Sequence, residues 1–174
     1  LTLFNGGIRN DENEHIAKLL RQKSKLLVAF GSCACEGCIP GLANLSPVGE
    51  IVHTAFNTLT TDNPNEIYPR TSYDVPEGEL HIPTLSRIVR PLEQVIDVDY
   101  FMPGCPPESH QIAAVIDLVI KVVKGEAELP PKGSVIGCGD STVCDECPRA
   151  RNVKFIKEFK RIQDVAPVDP TLCL

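Results

Sequence analysis

The sequence predicts an α/β domain on an open parallel sheet, followed by a less regular cysteine-bearing C-terminal segment. Two features carry that expectation. Leu26-Leu27-Val28-Ala29-Phe30 is a continuous apolar run, the mark of a strand buried on both faces. Ahead of it lie a shorter apolar stretch, Leu1–Phe4, and an amphipathic segment from Asp11. Strand, helix and strand at this spacing make a βαβ unit, hence parallel pairing. The chain has 174 residues, 43% apolar and 23% charged, enough to bury a core of domain size and too apolar for disorder.

After Leu1–Phe4 a turn is expected at Asn5-Gly6-Gly7. Asp11 then opens a helix, with Glu14 three residues on completing a capping box. Ile16, Leu19, Leu20 and Lys23 share one stripe of it, mostly apolar. Ser46-Pro47 starts a second helix, whose apolar face is Val48, Ile51, Val52, Ala55, Phe56 and Leu59. Residues 60–83 hold Pro64, Pro69, Pro76 and Pro83 and read as a long irregular excursion, the kind used for docking. Val95–Phe101 supplies another strand. Pro106-Pro107 opens a helix that runs to about Lys124, where Gly125 stops it. Beyond a connection at 125–137, Cys144–Pro148 precedes a basic helix near Arg151–Ile162, expected to be a solvated face. The domains are 1–130, α/β, and 131–174, the start of a C-terminal segment. Both ends read as cut from a longer protein.

Seventeen basic against 23 acidic residues give a net charge of -6, which argues against nucleic acid as a partner. No run of roughly 18 apolar residues is present to span a bilayer. The eight cysteines are the distinctive feature. Cys33, Cys35 and Cys38 form C-x-C-x2-C, and Cys144 and Cys147 form C-x2-C, which suits thiolates converging on a metal better than scattered disulfides. In open parallel sheets ligands bind beyond the carboxyl ends of strands. Leu26–Phe30 runs into Gly31-Ser32-Cys33, and Val95–Phe101 runs into Met102-Pro103-Gly104-Cys105. Cys33 and Cys105 therefore project from equivalent strand ends. Cys105 also lies just ahead of a helix, whose N-terminal partial charge favours a thiolate. Asn5 ends a third strand and could line the same edge. Cys138, Cys144, Cys147 and Cys173 could supply a four-thiolate zinc site instead, making the segment a zinc-stabilised interaction module. An iron–sulfur cluster with one ligand beyond Leu174 is equally open, and a thioredoxin-like pair ranks last.

Gly31-Ser32-Cys33-Ala34-Cys35-Glu36-Gly37-Cys38-Ile39-Pro40 and Pro103-Gly104-Cys105-Pro106-Pro107 resemble the two signatures of the small subunit of nickel–iron hydrogenases. The 20-kDa subunit of respiratory complex I shares much of this pattern, and the resemblance runs from Leu1 to about Gly125. Cys144-Asp145-Glu146-Cys147-Pro148-Arg149 resembles the cytoplasmic, methyl-viologen-reducing type, whose relatives serve heterodisulfide reductase electron chains.

That resemblance implies a flavodoxin-like sheet and an oxidoreductase component carrying [4Fe-4S] clusters, with no catalytic residue of its own. Hydrogen would be oxidised at nickel on a large subunit. Electrons would pass to a downstream ferredoxin- or flavin-containing subunit in the cytoplasm. Cys33 and Cys105 match two ligands of the proximal cluster, whose other two form a C-x2-C pair upstream of Leu1. Cys144, Cys147 and Cys173 match three ligands of a more distal cluster, with the fourth after Leu174. A quinone-reductase subunit like that of complex I is the nearest alternative. Cys35 and Cys38 depart from the pattern, which has a small or variable residue and a Gly there. They are expected to be ordinary substitutions, the alternative being four thiolates with Cys33 and Cys105. Cys138 has no assigned role, and His110, five residues after Cys105, is placed to tune a cluster.

Overall fold

A computed structural model describes residues 1–58, 60–139 and 141–149. The chain divides into two units, Leu1–Cys138 and Gly139–Leu174. The first begins with β1 (Thr2–Asn5), β2 (Ile8–Asn10), α1 (Asp11–Lys23), β3 (Leu27–Phe30) and α2 (Ser32–Glu36). A 3-10 segment, Ile39–Leu45, leads to α3 (Val48–Phe56), β4 (Ser72–Val75), β5 (Gly78–His81) and β6 (Leu85–Arg90). A short 3-10 turn, Leu92–Gln94, then precedes β7 (Tyr100–Met102) and α4 (Ser109–Lys124). The second unit contains α5 (Val143–Glu146). Leu59, the basic helix expected near 151–162 and Cys173 lie outside the described residues.

The expected parallel sheet is present. β3 lies between β1 and β7 and pairs parallel with both. Because strand side chains alternate, Leu27 and Ala29 enter one core with Phe4, Ile8, Ala17, Ala34 and Leu92. Val28 enters the other with Tyr100, Met102, Val115 and Ile136. Helices α1 and α2 thus cover one face and α4 the other, which is why the Leu26–Phe30 run is apolar throughout.

Several local expectations are corrected. The cap of α1 is Asn10, whose Oδ1 accepts from Asn13 N–H at 2.8 Å; Asp11 instead accepts from Thr84 N–H at 3.0 Å. Of the expected Val95–Phe101 strand only Tyr100 and Phe101 join the sheet, continued by Met102; Val95, Ile96 and Val98 pack on the core without a ladder. The helix expected at Pro106-Pro107 begins at Ser109, where Glu108 and Gln111 form the capping box, and ends at Gly125 as expected. Within 60–83, β4 and β5 form an exposed antiparallel hairpin. β2 pairs antiparallel with β6, and Asn44 extends that edge through a reciprocal bond with Val89, accepting from its N–H at 2.7 Å and donating to its C=O at 2.9 Å.

Asp99 is the buried polar residue of this core, 3% exposed. Its carboxylate accepts from Leu27 N–H at 2.9 Å, Arg21 at 2.8 Å and Lys132 at 2.6 Å, tying the start of β3, the end of α1 and the 130s loop together. Burial alone would raise its pKa, but Lys132, Arg21 and the Leu27 amide hold it at about 2, below the ordinary 3.8. Glu14, bound by Lys18 and Arg90, is also held at about 2. A depressed carboxylate stabilises the fold fully above its unfolded-state pKa and ceases to do so as pH falls through its folded-state pKa. The urea midpoint is therefore expected to be flat down to roughly pH 5 and to fall between about pH 4 and 2. Asp99→Asn starts lower and shows a smaller acid-induced fall; an unchanged acid profile in that variant would contradict the assignment.

Candidate metal centre

β3 and β7 end side by side, and the chain is laced together just beyond them. Gly31 N–H donates to Met102 C=O at 2.8 Å and Ser32 N–H donates to Gly104 C=O at 2.8 Å. Gly104 N–H returns a bond to Ser32 Oγ at 3.1 Å. Cys33 follows Ser32 and Cys105 follows Gly104, so this reciprocal pair delivers both thiols to one place. They line a cleft of 190 Å³ with Asn5, Phe30, Gly31, Ser32, Gly104, Pro106 and Pro107. The strand-end placement read from the sequence is observed, including Asn5 at the third strand end. Larger clefts lie against Ile39–Leu45: those of 590 and 480 Å³ contain no thiol and one of 380 Å³ contains Cys38, so volume does not locate the paired thiols here.

The Cys33 thiol is pushed up first by burial and then by the nearness of Cys38 and Cys105. Cys35, two residues along α2, points the other way. Its Sγ donates to Ala29 C=O at 3.3 Å against the first core, and burial pushes it up to about 11. Cys35 thus packs against the first core, while Cys38 lines a separate cleft of 380 Å³ with Glu36, Gly37, Gly41 and Gln94. The expected helix-end effect on Cys105 does not arise in that form. Residues 106–108 separate Cys105 from α4, and the Glu108 side chain accepts from the Gln111 N–H in the first turn of α4. His110 Nδ1 lies 3.2 Å from Glu108 Oε2 on the surface, turned to that partner.

In the second unit, Cys144 lies in α5 and Cys147 directly follows it. Asp145 Oδ2 accepts from both Thr142 N–H and Thr142 Oγ at 2.8 Å, fixing the start of this turn. One helical turn separates the two cysteines, which suits joint ligation. Among the described residues no cysteines are joined in disulfides, and no three His, Cys, Asp or Glu side chains stand close enough to hold a single metal ion.

The donor set fits an iron–sulfur cluster better than a mononuclear ion. A cluster presents several irons, so its thiolates need not crowd around one point. The cleft lining contains no carboxylate to compete with the two thiols. Soft thiolates suit iron–sulfur centres.

Residues 1–119 match the family described as the NADH ubiquinone oxidoreductase 20-kDa subunit. The chain belongs to this family. Its relatives bear out the resemblance carried by the Cys33 and Cys105 motifs. The iron-sulfur subunit of the F420-non-reducing hydrogenase of Archaeoglobus profundus is 43% identical over 180 residues, covering 100% of this chain and 54% of the relative. The corresponding vhu subunit of the F420-non-reducing hydrogenase of Methanocaldococcus jannaschii is 40% identical, covering 99% of this chain and 52% of the relative. A crystal structure of an NAD+-reducing NiFe-hydrogenase in the H2-reduced state contains a chain 28% identical with a TM-score of 0.58, over 72% of this chain and 65% of that one. This family member spans about half the length of the curated relatives it matches. Among its described residues no helix is long and apolar enough to cross a membrane.

Proposed function

We propose that this chain is part of the iron–sulfur electron-transfer subunit of a nickel–iron hydrogenase complex. The observation that carries the reading is the pairing of Cys33 and Cys105 at one cleft, set by the Ser32–Gly104 hydrogen bonds. The two thiolates hold one side of a [4Fe-4S] cluster, and Cys144, Cys147 and Cys173 hold a second. A bound cluster supplies a one-electron carrier. Cys33 and Cys105 would bind it at the ends of β3 and β7, with Phe30, Pro106 and Pro107 beside the two thiols. Hydrogen is oxidised on a large subunit, and electrons leave towards a ferredoxin- or flavin-containing partner in the cytoplasm, such as one feeding a heterodisulfide reductase.

The family's description favours a second reading, an electron-transfer subunit of a quinone reductase. Relatives named as hydrogenase subunits, about 40% identical along the whole chain, weigh against it. Iron, zinc and acid-labile sulfide are measured on the anaerobically purified complex, with an EPR spectrum after dithionite. Equal iron and sulfide with a reduced-cluster signal are expected, together with hydrogen-dependent dye reduction. Zinc without sulfide would replace the reading with a structural zinc module, and clusters without hydrogen-dependent reduction would favour the quinone-reductase reading.

A further inference from the structure

The lining of the Cys33–Cys105 cleft contains neither a carboxylate nor a cationic side chain. An anionic group held there by thiolates would therefore depend on neutral hydrogen-bond donors. Much of the nearby backbone is already committed. Gly31 N–H donates to Met102 C=O, Ser32 N–H to Gly104 C=O, and Gly104 N–H to Ser32 Oγ. Pro106 and Pro107 have no N–H to give. Apart from the thiols, the side chains of the lining offer two donors, Asn5 and Ser32. Ser32 is engaged in joining the two loops. The Asn5 side chain makes no hydrogen bond among the described residues.

The fold brings Asn5 to this place from a third strand. It is the last residue of β1 and stands opposite Phe30 in the ladder with β3. A Cβ built on Gly31 would lie 3.5 Å from Asn5 Oδ1, 3.4 Å from Gly104 O and 4.0 Å from Pro107 Cδ. The bare Cα of Gly31 thus leaves a space on which β1, the Cys33 loop and the Cys105 loop converge, with the Asn5 carboxamide at its rim. A half-turn of a carboxamide exchanges its C=O for its NH2 at nearly the same shape. Beside an anionic group the NH2 is the end that is stabilised.

We propose that Asn5 is a positioning residue whose side-chain NH2 donates to the sulfur of the cluster site at Cys33 and Cys105 and raises the reduction potential of the bound cluster. The inference rests on the cluster reading above. Reduction adds one negative charge to the cluster, so a donor to sulfur stabilises the reduced form more than the oxidised one. Asn5 itself exchanges neither an electron nor a proton.

The test uses the full-length protein purified anaerobically with its partner subunits, and follows the EPR signal that Cys105→Ala removes. Asn5→Leu keeps the shape of the side chain and deletes its donor. Its iron and sulfide content is expected to match the parent, while the midpoint potential of that signal moves negative. A tenfold weaker tendency to accept the electron would be read as about 59 mV. Asn5→Gln restores the carboxamide and is expected to bring the potential back towards the parent. An unchanged midpoint in Asn5→Leu would overturn the inference. So would an equal shift in both variants, which would point to packing, or lost iron in both, which would make Asn5 a structural part of the cleft. Absence of iron and sulfide from the parent complex is a different failure, that of the cluster reading, and is seen before any variant is made.

Discussion

Cys105→Ala is expected to abolish hydrogen-dependent dye reduction by the complex while the large subunit keeps its nickel. The side chain is exposed at the cleft and holds no place in either hydrophobic core, so its loss costs the fold little. Under the proposed function it costs one of the thiolates that anchor the cluster nearest the hydrogen-splitting centre. Loss of an outer-sphere partner at metal sites typically lowers affinity or activity about 10–100-fold. Removal of a ligand should exceed that, taking turnover below about one hundredth of the parent. The control is Cys35→Ala, only two residues from Cys33 but turned to the core. That variant should keep its iron and its turnover and lose about 1–2 kcal/mol of stability through a smaller side chain and a lost bond to Ala29. Full turnover in Cys105→Ala would remove the cleft from the electron path. Equal losses in both variants would mean that the assay is reading misfolding.

The contrast between Cys33 and Cys35 shows how much of this site was legible in the sequence. Strand β3 could be read because burial on both faces leaves an apolar run of five with no alternation. Its glycine exit could be read because strand ends in parallel sheets are where ligands bind. Neither argument depends on a distant residue. The pairing of β2 with β6 does: Ile8–Asn10 is too short to show a period, and its partners, Arg90 and Leu85, lie far along the chain. Helix α2, at five residues, is also below the length at which a helical period becomes visible. Val95–Val98 misled because residues packing on a core without a ladder leave the same apolar signature as a strand. The hairpin at 72–81 was hidden by the prolines around it, which mark its ends and turn, not its strands.

Gly104→Ala is expected to damage fold and site together, because the residue serves both. Its φ is 139°, a conformation L side chains rarely adopt, and a Cβ there would stand 2.6 Å from Pro107 Cα and 2.7 Å from Pro107 N. Those are backbone atoms of a residue whose ring fixes its own φ, so the clash is not relieved by a rotamer change. Strain of about 1–3 kcal/mol for the backbone adds to a similar overpacking cost. For a chain of this size, a total near 3 kcal/mol lowers Tm by roughly 6–12 °C. Any shift of Gly104 also moves its N–H from Ser32 Oγ and its C=O from Ser32 N–H, the bonds that set Cys105 beside Cys33. Iron content should therefore fall along with Tm. Gly49→Ala separates this from a general intolerance of added methyl groups. Gly49 lies in α3 with open space around it, so alanine there should leave iron unchanged and stabilise the helix by up to about 1 kcal/mol. A Gly104→Ala protein that melts like the parent and keeps its iron would show that the loop relaxes freely. The spacing of the two thiols would then have to be set by something other than the Ser32–Gly104 bonds.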